Sequence, residues 1–174
     1  MELLNRVSSY EFPNMVLPGV LMSSLLCRVL GLDFALIGSI PGIIIFLSVS
    51  YTLGLFASKF GSVIIEPIAK SCGVVQRASY EDFCLAENLD KKIAMLAQYR
   101  DLYRTFMVVG LYSLVLSIYG TTNNPSNLDV FLIGLSSLFI VVFFLAYGKQ
   151  SMYVTKRIDL VKTHGNELKL KDEE

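Results

Sequence analysis

The sequence is poor in the residues from which most enzyme sites and disulfide scaffolds are built. Its 174 residues include 1 histidine, 3 cysteines and no tryptophan. A zinc site or a histidine-based nucleophilic relay needs several such side chains close together, and His164 has no second histidine to join it. Three cysteines in so long a chain also exclude a small secreted module held by disulfides. We therefore predict a non-enzymatic protein that holds no metal and no other cofactor.

The sequence also lacks net charge. Its 15 basic and 15 acidic residues balance, which argues against a nucleic-acid-binding protein with a basic patch. Charged residues make up 17% of the chain and hydrophobic residues 53%, whereas an ordinary soluble domain has about 25% and about 45–50%. That apolar content excludes intrinsic disorder. An unusually apolar globular protein and a membrane protein remain, and we expect no direct contact with nucleic acid from either.

Charges are nearly absent from two long tracts. Residues 15–58 contain only Arg28 and Asp33 as ionisable residues of consequence, and residues 105–148 contain only Asp129. Each tract is about twice as long as a spanning helix, which needs roughly 20 apolar residues, and each is divided near its middle by turn-forming residues. We therefore predict an all-α polytopic membrane protein whose membrane domain, residues 1–148, has four transmembrane helices in two hairpins. The predicted spans are residues 15–32, 34–57, 102–119 and 128–147.

The distribution of basic residues outside these spans predicts the topology. The 59–101 loop and the 149–174 tail are rich in lysine and arginine, whereas the two short connections within the hairpins have neither. The positive-inside rule then places the loop, the tail and both termini in the cytoplasm. We expect the first span to be retained, because no compact basic region precedes it and no small-residue cleavage site follows it.

The cytoplasmic loop is predicted to contain the start of a long helix. Ser79, followed three residues later by Asp82, is a capping signal, and leucine and isoleucine recur at helical spacing after it. Because no helix breaker occurs from Tyr80 to Tyr119, we predict that the third span extends into the cytoplasm as one long helix. We expect this 79–101 helix and the tail to bind a cytosolic protein. The alternative is that its apolar stripe packs on the chain's own tail or on the membrane surface.

A short apolar patch at residues 61–73 precedes this helix. It carries Glu66 directly before Pro67 and is too short to span a membrane. We interpret it as an interfacial segment that continues the second span, with a re-entrant element as the weaker alternative. Glu66 is a candidate functional residue. Arg104, which is the last basic residue before the apolar part of the third span, is another.

Arg28 is the basic residue that lies inside a predicted span. Burying a charge in hydrocarbon costs several kcal/mol unless the side chain is paired or reaches the interface. Arg28 is about one turn from the outer end of the first span, so it either extends to that interface or pairs with Asp33. A pore or sensing role is the other interpretation, and both residues are candidates for it.

Two Pro-Gly pairs, Pro18–Gly19 and Pro41–Gly42, interrupt the first hairpin and complete the set of candidates. Proline kinks a helix and frees a carbonyl group, and glycine lets a neighbouring backbone approach. Small residues spaced four apart at 38–42, 54–58 and 113–117 add faces for close helix contact. Such faces serve packing within one chain or self-association. We expect the protein to form a homo-oligomer, and a conducting role would require several copies around an axis.

Several short motifs resemble those of a group of small bacterial multipass membrane proteins. They are the stretch 9–19 with its Asn14-x-x-x-Pro18-Gly19 pattern, residues 51–55 together with 61–67, residues 80–83 and residues 103–105. The resemblance covers most of the chain up to the third span. Small four-helix proteins of this kind accompany antiphage defence systems, among them the membrane subunit of the Kiwa system and the membrane accessories of some CRISPR loci.

The resemblance implies an inner-membrane sensor or effector component of antiphage defence that acts with a cytosolic partner. It carries over no functional residue, because the group offers no established active site to map. The alternative function is a channel or pore-forming oligomer that depolarises or permeabilises the membrane, motivated by the Pro-Gly pairs, the small-residue faces and Arg28. A transporter or lipid-handling accessory ranks third, since the spans contain no binding-site pattern of that kind.

Overall fold

The computed structural model describes residues 11–31, 38–75, 78–123 and 127–172. These residues form helices joined by turns and contain no strand, which confirms the all-α class. A π-helical turn, Gly61–Ile65, joins the second and third helices. In chain order the helices are α1 (Glu11–Leu30), α2 (Ile40–Phe60), α3 (Glu66–Ser71), α4 (Tyr80–Leu89), α5 (Lys92–Asn123) and α6 (Asn127–Asp172).

Three helical stretches are long and apolar enough to cross a membrane: Ile40–Ser71, Lys92–Thr122 and Leu128–Thr163. The apolar part of α1, Met15–Leu30, is shorter. Only 17% of the most apolar window of the first stretch and 11% of that of the third are buried within the chain. Apolar side chains exposed on this scale suit a lipid environment and not water. The structure thus supports a membrane protein with three candidate spans, and a fourth span remains a prediction.

The helices α1 and α2 pack antiparallel with their backbones in direct contact. A Cβ atom on Gly19 would lie 1.7 Å from the carbonyl oxygen of Ser50, and one on Gly54 would lie 1.9 Å from that of Met15. Pro18, beside Gly19, is fully buried within α1. Any side chain at either glycine would push the two helices apart, so the close approach depends on both.

The helix α5 lies at the centre of the bundle. Residues 104–110 are buried around the whole circumference of the helix, because α1, α2 and α6 all pack on it. Aromatic rings fill the contact with α6, where the ring centroids of Phe106 and Phe143 are 5.0 Å apart and those of Phe139 and Phe143 are 4.4 Å apart. The two hairpins therefore meet along α5.

Pro41 and Gly42 begin α2 and do not kink it. Ser39 is the N-cap, and its hydroxyl accepts a hydrogen bond from the backbone N–H of Gly42 at 3.2 Å. Proline fits a first turn because its missing N–H would have no intrahelical partner there. The expectation that Pro41 kinks a helix of the first hairpin was therefore wrong, and the helix of the predicted 34–57 span begins at Ile40.

The prediction of one continuous helix from Tyr80 to Tyr119 was also wrong. The helix α4 ends at Leu89, and Asp90 adopts an extended conformation with φ −139° and ψ 98°. The Asp90 carboxylate accepts a hydrogen bond from the backbone N–H of Lys92 at 3.0 Å. Aspartate favours such positions because its carboxylate satisfies an N–H group that has no partner within the new helix. The third predicted span therefore extends back only to Lys92.

Two local predictions are confirmed. Ser79 caps α4, since its hydroxyl accepts a hydrogen bond from the backbone N–H of Asp82 at 3.1 Å. The 61–73 patch continues α2 through the π-helical turn and α3 to Ser71, as predicted, and its interfacial position stays a prediction. The tail beyond residue 148 is helical as well, because α6 runs without interruption for 46 residues.

We expect Gly54→Ala to destabilise the first hairpin. The new methyl group would overlap the carbonyl oxygen of Met15, and overpacking of this kind costs about 1–3 kcal/mol. Gly134→Ala is the matched control, because no atom lies within 4 Å of its Cβ position on α6. Thermal unfolding in detergent, followed by circular dichroism, measures both variants. Equal Tm values for Gly54→Ala and the wild type would contradict the backbone contact.

Candidate functional site

A buried ion pair joins the end of the first hairpin to α5. The Arg104 Nη1 atom lies 2.8 Å from Glu66 Oε2, and the two side chains are 7% and 8% exposed. Lys70, one turn beyond Glu66, places its Nζ atom 3.1 Å from Glu66 Oε1. Asp101 Oδ1 lies 3.5 Å from Arg104 Nη1 and 3.2 Å from Arg100 Nη2. We call these five residues the inner network.

The local chain path explains how Glu66 reaches Arg104. The backbone N–H of Glu66 donates to the carbonyl of Gly61, five residues earlier, so the turn holds one residue more than an α-helical turn. The extra residue rotates Glu66 about the helix axis relative to a regular helix. Gly61 leaves room for the arginine, since a Cβ there would lie 3.2 Å from Arg104 Cγ. Pro67 favours the wide turn, because its ring clashes with a regularly placed carbonyl four residues earlier.

Glu66 and Arg104 were separate candidates in the sequence, and the structure brings them together. Arginine stays charged in proteins, so a buried guanidinium requires a carboxylate or other acceptors nearby. Arg104 Nε is buried and has no hydrogen-bond partner, which leaves Glu66 and Asp101 to satisfy the charge. A search for the acid that neutralises an arginine at the edge of an apolar tract would have suggested this pair.

A second ion pair lies at the opposite end of the bundle. Arg28 Nη2 lies 2.7 Å from Asp129 Oδ1, with the side chains 37% and 12% exposed. The pair joins the last turn of α1 to the first turn of α6. Asp33, which was the partner expected for Arg28 from the sequence, lies outside the described residues. The missed signal was that Arg28 and Asp129 carry opposite charges and lie beside the turns that divide the two apolar tracts.

Each hairpin also contains one buried hydroxyl pair. Ser50 Oγ donates to Ser23 Oγ at 2.9 Å between α2 and α1, and Ser136 Oγ donates to Ser113 Oγ at 2.7 Å between α6 and α5. Buried hydroxyl groups need such partners in an apolar environment. These four serines thus contribute to packing within each hairpin.

Beyond the inner network, α4 packs on the charged half of α6. Ala86 and Ile93 form a buried apolar cluster with Val154 and Ile158. Part of the apolar stripe predicted after Ser79 therefore packs on the chain's own tail. We call α4 together with the α6 residues that contact it the platform.

Two ion pairs hold α4 in the platform. Asp82 Oδ1 lies 2.8 Å from Lys162 Nζ, and Asp90 Oδ2 lies 2.6 Å from Arg157 Nε. Hydrogen bonds from Lys162 and from Arg157 lower the pKa of Asp82 and of Asp90, respectively, below the ordinary value of 3.8. A lowered pKa stabilises the folded state above that ordinary value, and the contribution is lost as the pH falls through the lowered pKa. The carboxylates therefore hold α4 in place throughout the neutral range.

The opposite face of α4 exposes two leucines. Leu85 is 65% exposed and Leu89 is 72% exposed. They are four residues apart and so lie on one face of the helix, next to Glu81 and Asn88, which are exposed as well. The apolar cluster of the platform uses the other face. Leu85 and Leu89, which are half of the predicted leucine and isoleucine stripe, are thus not covered by the rest of the described chain.

A cavity of about 420 Å³ separates the inner network from the platform. Lys70 and Arg100 line one side, and Phe83 and Ile158 line another. The inner network is therefore reached from the charged end of the bundle. Within the part of the chain that the structure describes, no three His, Cys, Asp or Glu residues are grouped to hold a metal ion.

Comparison with protein-family models, with curated proteins and with solved structures finds no match to this chain.

We expect Glu66→Ala to cost about 3–5 kcal/mol of folding stability, because it leaves the Arg104 guanidinium buried without its carboxylate. Asp101→Ala is the control: it removes the same charge from a side chain that is 43% exposed, and exposed pairs contribute only about 0.2–1 kcal/mol. The double variant Glu66→Leu/Arg104→Met should recover most of the loss, since apolar residues can replace a buried pair. Unfolding in detergent measures all three, and similar losses for the two single variants would show that the pair is solvated.

Proposed function

We propose that this protein is a four-span inner-membrane protein with both termini in the cytoplasm, and that it acts without enzymatic activity as a sensor or effector of antiphage defence. In this proposal the platform binds a cytosolic protein. The exposed Leu85–Leu89 face of α4 is the observation that carries it.

The charges of the bundle support the membrane placement. Lys59, Arg104 and Lys149 mark the ends of the apolar parts of α2, α5 and α6, and all three lie toward the end that carries the inner network. Arg28 and Asp129 lie at the other end. The whole of α1, with 20 residues, is about 30 Å long, close to the thickness of the hydrocarbon core, and its apolar part, Met15–Leu30, accounts for about 24 Å of that length. Its antiparallel contact with α2 supports a fourth span.

We expect a reporter that is active only outside the cytoplasm, such as alkaline phosphatase, to be active when it is fused after Asn124 and inactive when it is fused after Glu174. The reason is that the 120–129 connection has no basic residue, whereas the 149–174 tail has several. A reporter that is active only in the cytoplasm, fused at the same two positions, is the control and should give the reverse pattern. Cytoplasmic activity at Asn124 would contradict the four-span topology.

The position of the platform favours a protein partner over the membrane surface. The α4 ion pairs reach Arg157 and Lys162 on α6, which lie about 12 Å and about 20 Å beyond Lys149 along the helix. The headgroup layer adds only about 5–8 Å to each side of the hydrocarbon core. Leu85 and Leu89 therefore stand beyond the lipid headgroups. Two uncovered leucines in water on an ordered helix are typical of a protein contact.

The assignment to antiphage defence rests on the resemblance of the short motifs to small defence-associated membrane proteins. The structure adds a surface through which such a component can act on a soluble partner. A pore-forming oligomer is the second candidate, and the partial exposure of Arg28 at the outer end, 37%, favours it. It ranks second because Pro41 and Gly42 begin a helix and Gly54 packs against α1.

We expect Leu85→Glu/Leu89→Glu to abolish phage protection in cells that carry the gene with its neighbouring genes. Burying each leucine in an interface is worth about 1.5–3 kcal/mol, so the double variant should bind its partner at least about tenfold more weakly. Leu160→Glu is the control, because Leu160 is 60% exposed on the side of α6 away from α4. Plaque counts are the readout, with protein levels checked in the membrane fraction.

Full protection by the double variant would contradict the role of the platform. Unchanged plaque counts after deletion of the gene would contradict the defence role itself. A potential-sensitive dye, added during infection, distinguishes the two candidate functions. A pore should depolarise the membrane even when it carries Leu85→Glu/Leu89→Glu.

A further inference from the structure

A groove lies where the apolar part of α6 meets its charged part. It has a volume of about 610 Å³ and lies between α6 and the turn at Gly73 and Val74. Val74 packs closely on Gly148, where a Cβ would lie 2.7 Å from Val74 Cγ1. Leu145, which is 66% exposed, lines one end. The groove thus has an apolar end within the predicted span and a polar end beyond it.

Two lysines line the polar end. Lys149 and Lys156 lie two turns apart on one face of α6, about 10.5 Å along the axis. Both are exposed, and neither forms an ion pair with a carboxylate in the part of the chain that the structure describes. The cations that follow on α6, Arg157 and Lys162, are both paired with carboxylates of the α4 region. Lys149 Nζ lies 5.8 Å from the centroid of the Tyr153 ring, a contact that leaves its charge uncompensated by a carboxylate, so the two lysines can still attract an anionic ligand.

We propose that this groove binds an anionic glycerophospholipid of the cytoplasmic leaflet. The acyl chains lie along Leu145, and the phosphate lies between Lys149 and Lys156, level with Met152. Basic pockets at this depth attract anionic headgroups, and the apolar end offers a contact that a soluble phosphate cannot use.

A hydroxyl group between the two lysines indicates the headgroup. Thr155 lines the groove at this level, and a hydroxyl oxygen accepts hydrogen bonds from other hydroxyl groups. Two lysines and one aspartate give the groove a net charge of +1, which matches the single negative charge of a phosphodiester. Phosphatidylglycerol, with one phosphodiester and two headgroup hydroxyls, fits both features.

This inference rests on one part of the proposed function, namely that α6 crosses the membrane with Lys149 at the cytoplasmic boundary. Extraction of membranes with alkaline carbonate tests that part separately. Release of the protein by carbonate would refute the membrane placement. A protein that resists extraction and shows no preference for phosphatidylglycerol would refute the groove alone.

The test uses the full chain, purified in mild detergent, and counts bound lipids by native mass spectrometry during titration with phosphatidylglycerol or phosphatidylcholine. Each lysine near an anionic headgroup is worth roughly fivefold in affinity. Lys149→Gln/Lys156→Gln should therefore lower the affinity for phosphatidylglycerol by roughly 25-fold and leave that for phosphatidylcholine unchanged. Lys91→Gln/Lys92→Gln, which removes the same charge from exposed positions outside the groove, should match the wild type.

Competition with glycerol 3-phosphate distinguishes a lipid site from a site for free phosphate. We expect glycerol 3-phosphate not to displace bound phosphatidylglycerol. Displacement by this soluble anion, equal affinity for the two lipids, or equal losses in the two double variants would each overturn the proposal. Circular dichroism checks that the variants fold. If the groove variant does not fold, Lys156→Gln alone carries the test, with an expected loss of roughly fivefold.

Discussion

A guanidinium inside an apolar bundle has to meet a carboxylate, and this requirement determines how the two hairpins fit together. Arg104 is 7% exposed and lies on the most buried stretch of α5. Its carboxylate comes from Glu66, in the segment that continues the first hairpin. The pairing depends on the wide turn before Pro67 and on the missing side chain of Gly61. One charge therefore accounts for a π-helical turn, a glycine and the docking of two elements 38 residues apart.

The bundle uses different interactions within its hairpins and between them. Within each hairpin the helices approach through glycines and a serine pair, which are short-range contacts with little charge. Between the hairpins the two described charged contacts are Arg28–Asp129 at one end and Glu66–Arg104 at the other. The buried Glu66–Arg104 pair is costly to break, whereas Arg28 is 37% exposed and its pair is weakened by solvent. The buried pair therefore does most to fix how one hairpin lies against the other, and Arg28–Asp129 joins them at the opposite end.

Hydropathy and charge predicted the helical class and the approximate positions of the apolar helices, because both properties follow directly from the order of residues in the chain. The Glu66–Arg104 pair could not be derived in this way, since it depends on a rotation that one extra residue in a turn introduces. The helix break at Asp90 was missed because an aspartate within a helical pattern does not by itself show whether it continues the helix or caps a new one. Arg28 and Asp129 were both visible, and joining them required the additional step of placing the two hairpins side by side.

The uninterrupted length of α6 has a mechanical consequence. At 46 residues the helix is about 69 Å long, and it carries Asp129 in its first turn and Lys162 near its other end. The platform and the Arg28–Asp129 contact therefore belong to one continuous helix. No turn within α6 separates them, so the position of one constrains that of the other through the backbone hydrogen bonds of a single helix.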